Sequence, residues 1–187
     1  MELIEQYRRS VAGFTERLSQ VRPDQWAAPT PCTEWDVRAL VNHIVYEERW
    51  MPPLFGGATI AEVGDRFEGD LLGSNPVVSA AEAAREAEAA VRLDGTVHLS
   101  FGDLPGSEYL RQLIVDHLIH AWDLAAAIGA DRTLDPSVVS ECARWYAEQE
   151  EGYRSAGAVG PRVSVPSSAD EQDRLIGAFG RDPEWAP

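Results

Sequence analysis

Residues 115–124 read Val-Asp-His-Leu-Ile-His-Ala-Trp-Asp-Leu, placing two histidines and two aspartates in one apolar stretch of a chain with only four histidines. At about 100° per residue, Leu110, Leu113, Ile114, Ala121, Leu124 and Ile128 form one stripe of a helix. His117 falls near the centre of that stripe, whereas Asp116 and His120 fall together on a flank. Asp116 and His120 stand one turn apart, a spacing at which two side chains can grip one ion. His117 and His120, three residues apart, can do the same. His43 flanks a second apolar stripe made by Leu40 and Ile44, and Glu47 lies one turn further along that flank. A histidine from one helix and an i, i+4 pair from a facing helix make a three-ligand site inside a bundle. Imidazole and carboxylate ligands suit Zn²⁺ or a similar divalent cation. Three protein ligands leave one coordination position open, as catalytic rather than structural zinc sites do. The competing reading is a set of hydrogen-bonded core histidines beside a surface carboxylate, and His117 in particular is assigned mainly to packing.

Other chemistry is sparse. The hydrolytic zinc signature HExxH is absent, as are a Gly-rich phosphate loop and a GxSxG nucleophile elbow. His98 reads as a loop or edge residue. Cys32 lies in a Pro-flanked loop near a helix N-terminus, a setting that lowers a thiol pKa, but the sequence supplies it no partner. Cys142 fits the apolar face of a later helix and reads as structural. Trp26, Trp35, Trp50, Trp122 and Trp145 read as packing residues, with Trp50 also placed to line a cavity mouth. Glu47 reads either as a solvated carboxylate or as a group that orients a ligand or relays a proton.

The elements that must position these residues are helices. Leu3, Ile4, Tyr7, Val11, Phe14, Leu18 and Val21 recur at helical spacing and predict a helix over 2–21, ended by Arg22-Pro23. After a loop rich in Pro and Trp, Thr33 is the expected N-cap of a second helix, with Glu34 and Asp36 in its first turn. Pro52-Pro53 is expected to stop it. A short helical piece is expected around 58–68, and Asn75-Pro76 opens a third helix to Leu93. Residues 96–101 read as a short extended link. Ser107 is the expected cap of a fourth helix that ends at Gly129. Asp135-Pro136 starts a fifth helix to Glu151, residues 152–167 form a loop, and Ser168 with Glu171 forms a capping box for a last helix ending near Gly180. The expected architecture is all-α: a bundle of four principal long helices with accessories.

A length of 187 residues fits one domain, 1–187, in which 152–187 supply a C-terminal loop and short helix. The net charge of -15, with no basic stripe, argues against nucleic acid and against an anionic membrane surface. Two separated cysteines make no disulfide framework, the N-terminus does not read as a signal peptide, and no apolar run approaches 18 residues. The expectation is a cytoplasmic protein with free thiols.

Four runs carry a family resemblance: PTPCTEWDVRALVNHIV, DRFEGDLLGSNP, FGDLPGSEYLRQLIVDHLIHAWDLAAAIG and SADEQDRLIGAFGRDPEW. In this order they resemble the actinobacterial branch of the DinB-like metal-binding proteins, which is related to the N-terminal domain of mycothiol-dependent maleylpyruvate isomerase. The resemblance implies a DinB-type four-helix bundle holding a divalent metal, Zn²⁺ ahead of Ni²⁺, through three side chains. Carried over by position, those ligands are His43 on the second helix and the pair Asp116 and His120 on the last long helix of the bundle. The isomerase has glutamate where this chain has Asp116, a shorter substitute that leaves His117 as an alternative ligand. The isomerase also has an additional C-terminal domain that contributes to its active site, so maleylpyruvate isomerisation itself is not carried over.

Two functions are expected from these readings. In the first, the metal binds a low-molecular-weight thiol such as mycothiol, and the thiolate attacks a small electrophile in a transferase or isomerase reaction. In the second, the bundle is a non-catalytic module that binds a small ligand or a partner around a degenerate metal site. Related bundles commonly pair, so a homodimer is an expected state.

Overall fold

Four of the helices of eight residues or more start at side chains that accept the free N–H groups of the first turn. Asp36 accepts from Ala39, Asn75 from Val78, Asp135 from Ser137 and Val138, and Asp170 from Asp173. The computed structural model describes all 187 residues. Its helices are α1 (Leu3–Leu18), α2 (Val37–Phe55), α3 (Ile60–Val63), α4 (Pro76–Ala90), α5 (Gly106–Ile128), α6 (Pro136–Ser155) and α7 (Glu171–Ala178). Strands β1 (Thr96–Leu99) and β2 (Gly102–Pro105) form an antiparallel hairpin with Thr96 opposite Pro105 and Leu99 opposite Gly102. The chain is therefore mostly helical, as expected, and its sheet is a single small ribbon.

Several boundaries differ from the sequence expectation, each for a local reason. Thr33 does not cap α2: a Cys32–Trp35 turn and a bridge between Pro29 and Asp36 hold 30–35 as a loop, so the cap passes to Asp36. Pro52 and Pro53 do not stop α2, which runs on to Phe55. The backbone bond from Gly56 to the Pro52 carbonyl and the buried Leu54 and Phe55 hold that last turn despite two missing donors. Ser107 does not cap α5. The free N–H groups of Gly106 and Ser107 go instead to the carbonyls of Gly95 (2.8 Å) and Leu93 (3.1 Å). That exchange needs glycine at 106, where a Cβ would meet the Arg92 carbonyl oxygen at 2.0 Å. Asp170, not Ser168, caps α7. At the other end of α5, Gly129 takes the expected left-handed conformation, φ 71°.

The bundle is a ring. α1 lies between α5 and α4, and α2 closes the ring between the same two helices. α6 packs on the outside of α5 and carries α7. The core gathers Phe14 and Leu18 of α1, Leu40, Val41 and Ile44 of α2, Ala80, Ala83 and Ala87 of α4, and Leu110, Leu113 and Ile114 of α5. Because α5 is covered on one side by the ring and on the other by α6, nearly its whole second half is buried, not one stripe alone. Polar groups on α5 are therefore removed from bulk water and must find partners inside the protein. No helix is long and apolar enough to cross a membrane.

Candidate metal centre

His43 comes from α2, and Asp116 and His120 come from successive turns of α5. The packing of these two helices brings the three side chains together. His43 Nε2 lies 3.2 Å from one carboxylate oxygen of Asp116, and His120 Nε2 lies 3.3 Å from the other. One candidate ligand atom from each residue falls within 4.8 Å of the other two. A tetrahedral ion with bonds of about 2.0–2.1 Å spaces its ligand atoms about 3.3–3.4 Å apart, close to the 3.2 and 3.3 Å that separate each imidazole nitrogen from the Asp116 oxygen it faces. Two imidazole nitrogens and a carboxylate are also a donor set that a borderline divalent cation accepts. The residues present fit such a group.

His117 is excluded from this cluster by its own hydrogen bonds. Its Nδ1 donates to the Leu113 carbonyl at 2.8 Å, and its Nε2 lies 3.0 Å from the Glu48 carboxylate. Both nitrogens are thus taken by acceptors that lie outside the trio, and His117 offers no atom to the converging set. Burial opposes a charge on the ring, yet the Glu48 contact raises the His117 pKa above its ordinary value. Tyr7 and Phe14 pack edge-on against the ring. His117 is a core residue, as its place at the centre of the stripe predicts.

Around the cluster the electrostatics are steep. Burial opposes ionisation of Asp116, but His43 and His120 outweigh it and hold the carboxyl well below the usual range. Burial likewise opposes the charged form of His120, and Asp116 with Asp123 lifts its pKa well above the ordinary value. Glu47 moves the other way: burial first, then the Asp116 charge, push its carboxyl pKa up. These groups line a cavity of about 240 Å³ whose remaining wall includes Tyr109, Tyr153, Val159, Phe179 and Arg181. The C-terminal segment thus forms part of the same cavity as α2 and α5.

Four residues at the site were not singled out for it by the sequence. Trp35 lies over His43 with ring centroids 4.6 Å apart and is 5.6 Å from His120, so this packing tryptophan walls the His43–Asp116–His120 cluster. Glu48, one position beyond Glu47, is the buried partner of His117. Asp123 is fully buried, three residues after His120, and accepts from His120 Nδ1 at 3.0 Å. Arg181 pairs with Asp123 at 3.0 Å. Only Asp123 had a readable signal, its i+3 spacing from His120. Cys32 gains the partners that its sequence context withheld: its thiol donates to Asp123 at 3.3 Å, and Arg181 donates to its sulfur at 2.9 Å. Cys142 is buried on α6, as expected, with its pKa pushed up to about 12 by burial. His98 sits in β1 and pairs with Asp103 at 2.8 Å, away from the site.

The fold and this cluster define a helical bundle with a cross-helix histidine–aspartate–histidine centre. Residues 7–125 match the mycothiol maleylpyruvate isomerase N-terminal domain family. Two uncharacterised proteins of Mycobacterium tuberculosis, Rv0738 and MT0763, are each 34% identical over 146 residues, which is 75% of this chain and 75% of the relative. Crystal structures of mycothiol-dependent maleylpyruvate isomerase and of a histidine-to-alanine mutant of it each superpose with a TM-score of 0.65. They are 21% and 19% identical to this chain, covering 90% of it and 79% of theirs, a likeness of fold. The chain belongs to the mycothiol maleylpyruvate isomerase N-terminal domain family.

Proposed function

We propose that this protein is a divalent-metal enzyme that joins a low-molecular-weight thiol to a small electrophile, in a transferase or isomerase reaction. The observation that carries the reading is the convergence of His43 Nε2, the Asp116 carboxylate and His120 Nε2 on the wall of one cavity. Those three side chains hold the cation, Zn²⁺ ahead of Ni²⁺. A bound divalent cation supplies a site at which a thiol loses its proton at neutral pH. The family's name, and the isomerase whose fold this chain shares, support mycothiol as that thiol.

The chain's own residues supply the rest. Leu113, Val159 and Phe179 give the cavity an apolar side that takes the body of the electrophile, and Gln112, Tyr109 and Tyr153 offer polar atoms to orient it. Glu47 holds the proton that the thiol loses on its carboxyl oxygen and returns it to the carbon left electron-rich by addition. Its place on the cavity wall, beside His43 and Asp116, suits that transfer. Trp35 covers His43 and keeps bulk water from that side of the centre. Phe179 and Arg181 reach the cavity from the far end of the chain, so we propose that 1–187 works as one unit.

Metal analysis tests the reading. Protein purified without chelator should hold near one equivalent of Zn²⁺ or Ni²⁺, and the H43A/H120A variant should hold none while remaining helical. The loaded protein should consume an electrophile only when mycothiol or a similar thiol is present. Folded wild-type protein that takes up no divalent cation overturns the proposal.

A further inference from the structure

Cys32, His120 and Asp123 form a second set of metal-ligand types, with one candidate ligand atom from each within 4.8 Å of the others. His120 belongs to both sets, one ring nitrogen facing each. The second set already contains a cation. Arg181 Nη2 lies 2.9 Å from Cys32 Sγ and 3.0 Å from Asp123 Oδ2, and its Nε lies 3.3 Å from Asp123 Oδ1. A guanidinium with these two contacts to one carboxylate fills the place where a metal ion would otherwise sit.

The consequence falls on His120. The Asp123 carboxylate is fully buried, paired with Arg181 and an acceptor only, so the His120 Nδ1 facing it must carry the proton. Nε2 is then the nitrogen left to face Asp116 and His43. Gly180 makes the delivery of Arg181 possible: it takes φ 77° just after α7 and turns the chain. Arg181 is then anchored by its own donation to the Phe179 carbonyl at 2.8 Å.

We propose that Asp123, clamped by Arg181 from the C-terminal segment, is the positioning residue that fixes His120 as an Nε2 ligand, and that Arg181 bars the Cys32 side of the ring to metal. The inference rests on the metal reading above. It adds that the centre has one ion, bound on His120 through Nε2 and not Nδ1, and that Asp123, held by Arg181 from beyond the bundle ring, sets its affinity. Outer partners of this kind are typically worth about 10–100-fold in metal affinity.

The experiment uses the full chain. Zn²⁺ affinity is measured by competition with a chromophoric chelator for wild type, D123N, D123A and C32S, with circular dichroism to report folding. D123A should bind about 10–100-fold more weakly and D123N less so, because asparagine keeps an acceptor but loses the charge. C32S should bind as wild type does. Co²⁺-loaded wild type should bind one equivalent with no thiolate-to-cobalt charge-transfer band. Equal affinity in folded D123A, a second equivalent lost in C32S, or a cobalt–thiolate band overturns the proposal. Should D123A fail to fold, ¹⁵N chemical shifts of the His120 ring decide: Nδ1 protonated and Nε2 metallated is expected, and the reverse refutes it. A wild type that takes no metal defeats the metal reading itself. The ring shifts of metal-free protein at alkaline pH still test the positioning, since an Nδ1–H tautomer is expected and an Nε2–H tautomer overturns it.

Discussion

Breaking the Glu48–His117 pair should destabilise the protein more than any surface ion pair would. Both side chains are buried, the contact is 3.0 Å, and the second Glu48 oxygen has no partner at all. Opposite charges 3 Å apart attract by about 5 kcal/mol at an effective dielectric of about 20, against a desolvation cost of several kcal/mol per ion. The pair therefore nets little, but removing one member strands the other. Glu48→Leu leaves the His117 ring with an unpartnered N–H, and His117→Leu leaves a buried carboxylate with neither oxygen bonded. Each should cost about 3–5 kcal/mol, or roughly 6–20 °C in Tm for a chain of this size. The double variant E48L/H117L removes both polar groups and should cost less than the sum of the singles by about 2 kcal/mol or more. Urea denaturation of the four proteins measures that cycle.

The pH dependence has a definite sign. The folded pKa of His117 is raised by Glu48. The stability this supplies is fully present below the unfolded value of about 6.5 and is lost as pH rises through the folded pKa. The penalty of Glu48→Leu should therefore be largest at or below that pH and shrink in alkaline buffer. Additive single-variant costs, or a penalty that grows with pH, would refute the argument. Folded His117→Leu protein should also keep wild-type metal content; loss of metal from it would return His117 to the candidate ligands.

Asp36→Ala should cost about 1 kcal/mol as the loss of a working N-cap, whereas Thr33→Ala should stay within about 0.5 kcal/mol, by thermal melting. Equal losses would mean that α2 starts where the sequence suggests. Gly106→Ala pushes a Cβ onto the Arg92 carbonyl and displaces the 93–95 backbone that caps α5, so it should lose about 1–3 kcal/mol. A neutral result contradicts that close approach. In native protein at neutral pH an alkylating reagent should modify half-buried Cys32 first. Cys142, buried with its pKa near 12, should react only as the protein unfolds. Peptide mapping at successive times separates the two, and comparable rates would count against the burial of Cys142.

The helices and one side of the site were legible because they depend on local geometry. Residues four apart on a helix share a face whatever the helix packs against, so Asp116 and His120 were paired before any fold was known. The apolar stripe separated His117 from them on the same ground, and Leu40 and Ile44 set His43 on the flank of its own stripe. Asn75, Asp135 and Gly129 were readable as caps since their partners lie within a few residues. Two of the caps that misled, Thr33 and Ser107, did so where backbone from outside the helix intervened. The Pro29–Asp36 bridge delayed α2, and the 93–95 backbone took the N–H groups that Ser107 was expected to satisfy.

By itself, then, the sequence determined an all-α chain, the helix faces and a histidine–aspartate–histidine trio, with the family resemblance supplying the link between α2 and α5. Tertiary structure alone decided what each charged group on those faces does. His117 is held by Glu48, 69 positions earlier, and Cys32 is met by Arg181, 149 positions later. Such partners have no period and no spacing to read. They exist because the apolar faces, once packed, force the few buried polar atoms left inside to find one another.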